Sequence, residues 1–344
     1  MSATLSYLAE NRGTARDLDA FVVAVAFNRL GTRACFGLGD GSLHVADGPH
    51  PAAWRRHQAH QGAVLALTAD SSLGGFVSGG DDGRFLRLGQ NEALSEIFTV
   101  PRGWVEQVAS HMDARSSLLA CAVRKTVHVF DHDGTPLKAL EHPSTVTGLV
   151  FDARGKRVAA SHYNGASLWF LAAKTDTPRR LEWKGSHTGI AISPDGGVVV
   201  TAMQENALHG WRLADGQDMR MSGYPAKTES LSFSRNGRFL ATSGAEAVVL
   251  WPFFGGGPMG KPPLELAAGG VLVTRVACHP QQDVVAAGFQ DGVVLLVDIA
   301  TRRILPAVPP GRGPVSALAW NASGTMLAYG TEEGHAGLLD LAAR

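Results

Sequence analysis

A glycine-rich segment offers the most tempting catalytic motif in the chain. Residues 255–262 read GGGPMGKP, which satisfies the GxxxxGK spacing of a phosphate-binding loop through Gly255, Gly260 and Lys261. Such a loop also needs a Ser or Thr after the lysine to hold Mg²⁺, and a helix whose N-terminus faces the phosphates. Two prolines follow the lysine instead, and then the strand-like run LELAA. We therefore interpret the segment as a connecting loop, and we predict no cofactor site.

Histidines suggest a metal site only weakly. His57 and His60 form an HQAH motif, and Cys278 is followed directly by His279. Zinc needs three or four converging nitrogen or sulfur ligands, usually supported by a second layer of hydrogen bonds. These pairs do not reach that number by spacing alone. We predict no metal site, and a metal-handling protein stays an alternative.

Nucleophilic chemistry has no recognisable motif either. The sequence contains no GxSxG and no HExxH. We therefore predict a protein without catalytic residues. A hydrolytic protein stays an alternative. Its site would consist of histidines and acidic groups at one mouth of a channel through the fold.

Composition limits the classes of partner and compartment. The chain has 344 residues with 31 basic and 31 acidic side chains, so the net charge is zero, whereas nucleic-acid binders usually carry a basic excess. Three widely spaced cysteines fit a reducing compartment. We see no signal peptide and no apolar run long enough to span a membrane. We therefore expect a cytoplasmic protein that binds neither nucleic acid nor membrane. Few lysines among the basic residues, with abundant Ala and Gly, suggest a bacterial source.

One pattern recurs along the chain with a period near 41 residues. VTGLVFDARGKRVAAS, TESLSFSRNGRFLATS and VSALAWNASGTMLAYG are its clearest copies. Across all eight copies, the first apolar runs end at spacings of 41, 42, 41, 41, 41, 45 and 42 residues. A second register in a later turn gives nearly the same spacings, so the repeat is real. The ends of the first runs are Phe27, Thr68, Ser110, Phe151, Ile192, Phe233, Cys278 and Trp320.

Each repeat reads as a small antiparallel sheet. Short apolar runs are separated by turns such as DARGK and SPDGG, which place Gly where a hairpin needs a positive φ. About 41 residues accommodate four strands of about five residues. One such sheet cannot bury both faces, whereas sheets stacked face to face around an axis can. We predict an all-β fold, a single β-propeller.

At this point the chain resembles the WD40-repeat family, over about residues 21–341. The resemblance implies four-stranded blades, eight by our count, or seven if the weak third copy is not a true blade. It also implies that residues 1–20 supply the outer strand of the last blade and close the ring. Thr4, Leu5, Tyr7 and Leu8, and the segment 14–18, are strand-capable. The expected repeats are 21–58, 59–100, 101–141, 142–184, 185–224, 225–268, 269–311 and 312–344.

The family's Trp-Asp signature and its buried His, Ser/Thr, Asp, Trp network are eroded here. The second repeat keeps most of the network, but Leu88 stands where the resemblance places Trp. We therefore expect apolar packing to contribute more than this network to the stability of the blades. The residues that match it are His60, Ser78, Asp82, His142, Asn164, Thr201, Glu205, Trp211 and Trp251.

The resemblance finally implies an interaction scaffold that binds a protein or peptide through one rim. A structural subunit of a larger complex is the other alternative. The rim candidates are Trp104, Tyr163, Gln204, Lys227, Arg275, Phe289, Gln290, Arg312 and Glu332. The loop of the sixth repeat adds Phe253, Phe254, Met259 and Lys261, because exposed apolar groups often mark interaction sites.

Overall fold

The computed structural model describes residues 6–48 and 54–342. They form seven antiparallel sheets and, in these ranges, one short helix, α1 (Leu8–Arg12). The all-β fold is therefore confirmed. Thr4 and Leu5 lie outside the described residues, as do 49–53 of the first repeat. Leu8 was predicted in a strand, but it begins α1.

Six of the sheets have four strands. The first three follow chain order: β2 (Val22–Phe27), β3 (Arg33–Leu38), β4 (Ser42–Asp47) and β5 (Trp54–Gln58); β6 (Val64–Ala69), β7 (Phe76–Gly80), β8 (Arg84–Leu88) and β9 (Leu94–Thr99); β10 (Gln107–Met112), β11 (Ser117–Val123), β12 (Thr126–Asp131) and β13 (Pro136–Glu141).

A six-stranded sheet follows: β14 (Gly148–Phe151), β15 (Arg157–Phe170), β16 (Arg179–Ile192), β17 (Val198–Met203), β18 (Ala207–Arg212) and β19 (Asp218–Ser222). After it come β20 (Leu231–Phe233), β21 (Phe239–Thr242), β22 (Val248–Pro252) and β23 (Leu264–Leu266), then β24 (Val273–Cys278), β25 (Val284–Phe289), β26 (Val294–Asp298) and β27 (Ile304–Val308).

The last sheet takes its outer strand from the beginning of the chain. It contains β28 (Val315–Trp320), β29 (Met326–Thr331), β30 (His335–Asp340) and β1 (Gly13–Asp17). The pairing of β1 with β30 runs from Gly13 opposite Leu339 to Asp17 opposite His335. His335 Nδ1 also lies 2.7 Å from Asp17 Oδ1, so a side-chain contact reinforces the backbone pairing.

The count of eight blades was wrong, because the fourth and fifth repeats share one sheet. β15 bends at Asn164 and Gly165, which have φ values of +65° and +136°, so strands two and three of the fourth repeat read as one element. β16 then runs from the outer strand of the fourth repeat into the first strand of the fifth. The weak third copy is not the cause, because it forms the regular sheet β10–β13.

Apolar clusters fill the space between consecutive sheets. One cluster joins the last sheet to the first, where Phe36 stacks on Trp54 with ring centroids 5.0 Å apart. Another lies inside the six-stranded sheet, where Leu168 and Trp211 belong to one core. The two halves of that sheet therefore pack on each other as neighbouring sheets do, which buries both faces as the repeat requires.

Hydroxyl groups on the innermost strands add hydrogen bonds between sheets. Ser316 Oγ on β28 donates to the Val22 carbonyl on β2 at 2.6 Å, and Thr274 Oγ1 donates to the Val315 carbonyl at 2.6 Å. Ser230 Oγ donates to the Val276 carbonyl at 3.0 Å. These bonds fix how each sheet sits against the next.

Ser316 allows this role to be tested. Ser316→Ala leaves the buried Val22 carbonyl without this donor, so we expect the free energy of unfolding to fall by about 1–3 kcal/mol. Denaturant unfolding measures the change, with the exposed Ser323→Ala as the control. Equal stability of the two variants would show that the hydroxyl contributes nothing.

Candidate functional site

The predicted rim contacts come from one edge of the sheets. In an antiparallel four-stranded sheet, the turn between strands two and three and the connection into the next sheet lie at the same edge. We call this edge the rim, and the edge carrying the other turns the opposite edge. Trp104 and Tyr163 lie on the rim, and each is 58% exposed. Both are large aromatic groups at the surface, as a binding anchor would be.

Trp104 lines a cavity of about 470 Å³ together with Arg102, Arg124, Glu106 and Thr145. Both arginines adopt left-handed backbone conformations, with φ values of +62° and +54°. Arg124 Nη2 donates to the Arg102 carbonyl at 2.9 Å, which ties the two turns together. Residues in sparsely populated regions of backbone φ and ψ persist only where the surrounding structure holds them, and they cluster at functional sites.

Tyr163 lines a second cavity of about 640 Å³, at the place where the fourth and fifth repeats merge. Its other walls include Trp183, Arg180, Glu182 and Lys184. The Tyr163 backbone N–H donates to Ser144 Oγ at 2.9 Å. Asn164, which follows, accepts a hydrogen bond from the Gly185 N–H at 3.2 Å. These two hydrogen bonds hold the turn at Tyr163 and Asn164 against Ser144 and Gly185.

The two cavities are neighbours. Pro143 and Ser144 line the Tyr163 cavity, and the next residue, Thr145, lines the Trp104 cavity, so segment 143–145 contributes to both. Together they carry four cations and two carboxylates: Arg102, Arg124, Arg180 and Lys184 against Glu106 and Glu182. This part of the rim is therefore locally basic, although the whole chain is neutral.

A further group of rim candidates lies apart from these cavities. Lys227, Gln290 and Glu332 line one cavity of about 290 Å³, whose walls come from three successive sheets. Gln204 and Arg312 are exposed, and Arg312 Nη1 lies 3.7 Å from Asp17 Oδ2. These five residues share the rim edge but do not join the two aromatic residues.

Two candidates are engaged inside the fold. Phe289 is 4% exposed and packs in the core between sheets β20–β23 and β24–β27. Arg275 donates through Nε to the Ser316 carbonyl at 2.6 Å and through Nη1 to Glu229 Oε2 at 2.8 Å. Neither side chain is therefore offered to a partner at the rim surface.

The glycine-rich loop lies at the opposite edge. Lys261 Nζ donates to the carbonyls of Gly255 at 2.9 Å and Gly257 at 3.0 Å, and also to that of Phe254. The lysine thus binds its own loop, and the element that follows it is the strand β23, not a helix. Phe253 packs edge-on against Phe233, whereas Phe254 and Met259 are 40% and 50% exposed.

The second repeat forms the buried network that the resemblance implies. His60 Nε2 lies 2.9 Å from Ser78 Oγ, and its Nδ1 lies 2.9 Å from Asp82 Oδ1. The carboxylate accepts a further bond from the Gln61 N–H at 3.1 Å. These contacts hold His60, and they leave neither of its ring nitrogens for a metal.

The fourth repeat contains a network that the sequence only half showed. Trp169 Nε1 donates to His142 Nε2 at 3.1 Å, and His142 Nδ1 donates to the Leu140 carbonyl at 2.9 Å. Both partners require a neutral imidazole with its proton on Nδ1. Trp169 was not among the predicted network residues, because it does not fall at the Trp position of the repeat register. The tryptophan one residue earlier was the available signal.

Two later repeats build the network from other residues. In the fifth, His187 Nδ1 lies 2.7 Å from Thr201 Oγ1, and Glu205 Oε1 accepts from the Ser186 N–H at 3.3 Å. Trp211 packs with its ring centroid 5.8 Å from that of His187.

In the sixth repeat, Trp251 Nε1 donates to Tyr224 Oη at 2.6 Å, and Thr242 Oγ1 lies 2.6 Å from the same oxygen. Tyr224 stands where a histidine was expected, and burial raises its pKa to about 12. It therefore stays protonated and can both donate and accept.

The remaining histidines of the metal hypothesis are also engaged. His279 Nε2 donates to the Gly324 carbonyl at 3.0 Å, while its Nδ1 accepts from the Gln281 N–H at 3.0 Å. His57 Nε2 lies 3.0 Å from Glu92 Oε2. Among residues 6–48 and 54–342, no group of three or more His, Cys, Asp or Glu side chains is arranged to hold a metal ion.

Comparison with known proteins adds to this geometry. A family model described as the anaphase-promoting complex subunit 4 WD40 domain matches residues 276–343. Telomerase protein component 1 of Rattus norvegicus is 25% identical over 330 residues, and WD repeat-containing protein slp1 of Schizosaccharomyces pombe is 23% identical over 296 residues. These matches support the WD40-repeat family. The alignments cover 90% and 68% of this chain, but 12% and 57% of those proteins.

A third relative and a solved structure also match this chain. Autophagy-related protein 16 of Arabidopsis thaliana is 22% identical over 312 residues, which cover 86% of this chain and 59% of that protein. The crystal structure of the computationally designed Ika8 protein superposes with a TM-score of 0.74 at 20% identity, over 94% of this chain and 98% of that one. The latter likeness concerns the fold alone. These relatives are eukaryotic, so the expected bacterial source is not supported.

Within the described parts of the chain, no helix has the length and apolar character needed to cross a bilayer.

The neutral imidazole of His142 makes the fold sensitive to acid. Burial, together with the neighbouring His162, lowers the pKa of His142 from 6.5 to about 4. The folded state therefore binds its proton less readily than the unfolded state. This stabilisation is complete above pH 6.5, and up to about 3 kcal/mol is lost as the pH falls toward 4.

We expect His142→Gln to reduce this loss, because an amide can accept from Trp169 and donate to Leu140 without titrating. Denaturant unfolding between pH 7 and pH 4.5 measures it, with the exposed His132→Gln as the control. An equally steep pH dependence in wild type and His142→Gln would contradict this assignment.

Proposed function

We propose that this WD40-repeat chain is a non-catalytic scaffold that binds another protein or peptide through the surface between Trp104 and Tyr163. The observation that carries the proposal is the pair of aromatic side chains, each 58% exposed, at two adjoining cavities. Aromatic residues and arginine dominate binding hot spots, and both are present here.

Several observations support a scaffold over an enzyme. The histidines of the buried networks bond to neighbouring side chains and carbonyls, so their role is structural. Two of the matches are named as parts of larger assemblies, telomerase protein component 1 and the WD40 domain of anaphase-promoting complex subunit 4. A non-enzymatic role, a cytoplasmic location and a partner that is neither nucleic acid nor membrane stay predictions.

A structural subunit of a larger complex is the second candidate. It is favoured by the family model for residues 276–343, whose description names a subunit of the anaphase-promoting complex. A subunit of this kind would contact its neighbours over broad surfaces, so loss of two rim side chains would weaken its assembly only slightly. The two candidates are therefore separable by one pair of variants.

The test compares Trp104→Ala/Tyr163→Ala with wild type in quantitative affinity capture. We expect the main captured protein to fall at least tenfold, since each anchor is worth about 2 kcal/mol or more in a hot spot. Phe254→Ala/Met259→Ala, which removes two exposed apolar groups at the opposite edge, is the matched control.

Circular dichroism is the measurement that checks whether both variants are folded. Unchanged capture by the rim variant, or an equal loss in the control, would remove the rim from the proposal. A mild loss in both variants would favour the structural subunit.

A further inference from the structure

A cavity of about 410 Å³ lies at the opposite edge, between sheet β24–β27 and the last sheet. α1 forms one wall through Leu8 and Arg12, and Trp320 of β28 forms another. The wall formed by α1 is not part of the repeat, because α1 lies outside it and is the one helix in the described residues. The cavity is therefore not a feature that the repeat reproduces between every pair of sheets.

Apolar side chains that the fold leaves partly exposed converge on this cavity. They come from α1, β25, β27, β28 and the end of the chain: Leu8, Val284, Leu305, Trp320 and Leu341. Leu305 is 39% exposed. Apolar surface that faces a cavity of a few hundred Å³ is the usual lining of a small-molecule site.

The polar groups of the cavity are few, and two of them are guanidinium groups. Arg12 Nη1 donates to the Ala342 carbonyl at 3.3 Å, which holds the side chain against the cavity while leaving its other N–H groups. Arg303 is exposed at the mouth and has no acidic partner within 4 Å among the described residues. Two arginines on one apolar cavity favour a ligand that carries an anion.

Asp298 also lines the cavity, but its charge is directed elsewhere. Asp298 Oδ1 accepts a hydrogen bond from the Thr301 N–H at 2.7 Å. Hydrogen bonds from that turn lower the pKa of Asp298, so it is ionised and satisfied by its own turn. The lining thus has one more positive than negative charge.

The histidine in the wall does not suggest catalysis. Both ring nitrogens of His279 are hydrogen-bonded within the protein, to Gly324 and to the N–H groups of Gln281 and Gln282. The cavity therefore offers binding groups and no free base.

We infer that this cavity binds a small amphipathic carboxylate, with its hydrocarbon chain against Leu305 and Trp320 and its carboxylate between Arg12 and Arg303. Guanidinium binds carboxylate with two parallel hydrogen bonds, and the apolar walls remove the chain from water. The site lies at the edge opposite the rim, so this inference does not rest on the proposed function.

Decanoate and 1-decanol, which share one hydrocarbon chain, are the probes. Isothermal titration calorimetry of the full chain should show saturable one-to-one binding of decanoate, and binding of decanol at least fivefold weaker. Arg12→Gln/Arg303→Gln should weaken decanoate at least tenfold and leave decanol unchanged, because only the charged contacts are lost. Arg302→Gln, which removes the same charge one residue away from the cavity, should bind both probes like wild type.

A second variant guards against a misfolded arginine variant. Leu305→Asp changes a partly exposed side chain and should abolish binding of both probes, while circular dichroism remains that of wild type. Equal affinity for decanoate and decanol in wild type would overturn the carboxylate assignment. Absence of decanoate binding, or binding that Arg12→Gln/Arg303→Gln and Leu305→Asp leave intact, would overturn the site. Binding only of a peptide that ends in leucine would assign the cavity to a protein segment and equally overturn the inference.

Discussion

The hydrogen bonds between innermost strands are the constraint on which the arrangement of the sheets depends. Apolar packing between sheet faces is non-directional, so it favours contact without fixing one relative position. A hydroxyl that must reach a carbonyl on the next sheet admits only a narrow range of positions. Ser316 to Val22, Thr274 to Val315 and Ser230 to the Val276 carbonyl are such contacts. The rim turns leave the ends of these same strands, so their mutual positions follow from the inner hydrogen bonds.

Periodicity was enough to predict the strands but not how they combine into sheets. Alternating apolar runs and Gly-containing turns depend on neighbouring residues, and they identified the all-β fold. In the turn after Phe151, Asp152 Oδ1 accepts from the Lys156 N–H at 2.8 Å, and Gly155 has a φ of +61° with His111 against it. The positive φ is a local reason for the glycine in the pattern, and the His111 ring of the preceding sheet, with which a side chain would collide, adds a second one.

The merged sheet depended on contacts that no local pattern contains. Whether Asn164 and Gly165 end one strand and begin another, or form a bend within one element, is decided by pairing with residues 179–186. The helix α1 has the same kind of origin. Its Leu8 and Ala9 pack against residues near the end of the chain, so the contacts that stabilise it lie outside the first 20 residues.

The buried networks show why a signature of fixed residue types misses some of the repeats that contain them. What the network needs is a donor and an acceptor at the right places, and several side chains can supply them. Tyr224 Oη accepts from Trp251 in the sixth repeat, and His142 Nε2 accepts from Trp169 in the fourth. A search for one residue type finds the second repeat and misses the equivalent chemistry of the sixth.

The fourth network also explains why the candidate rim surface is held in place. A hydrogen bond from Trp169 holds His142 in place, and segment 143–145 directly follows His142 in the chain. Ser144 Oγ then accepts the Tyr163 N–H at 2.9 Å, while Thr145 enters the wall of the Trp104 cavity. One buried imidazole therefore positions the segment between the two exposed aromatic groups. Because a preorganised surface loses less conformational entropy on binding, the contact that stabilises this part of the fold also prepares the surface for a partner.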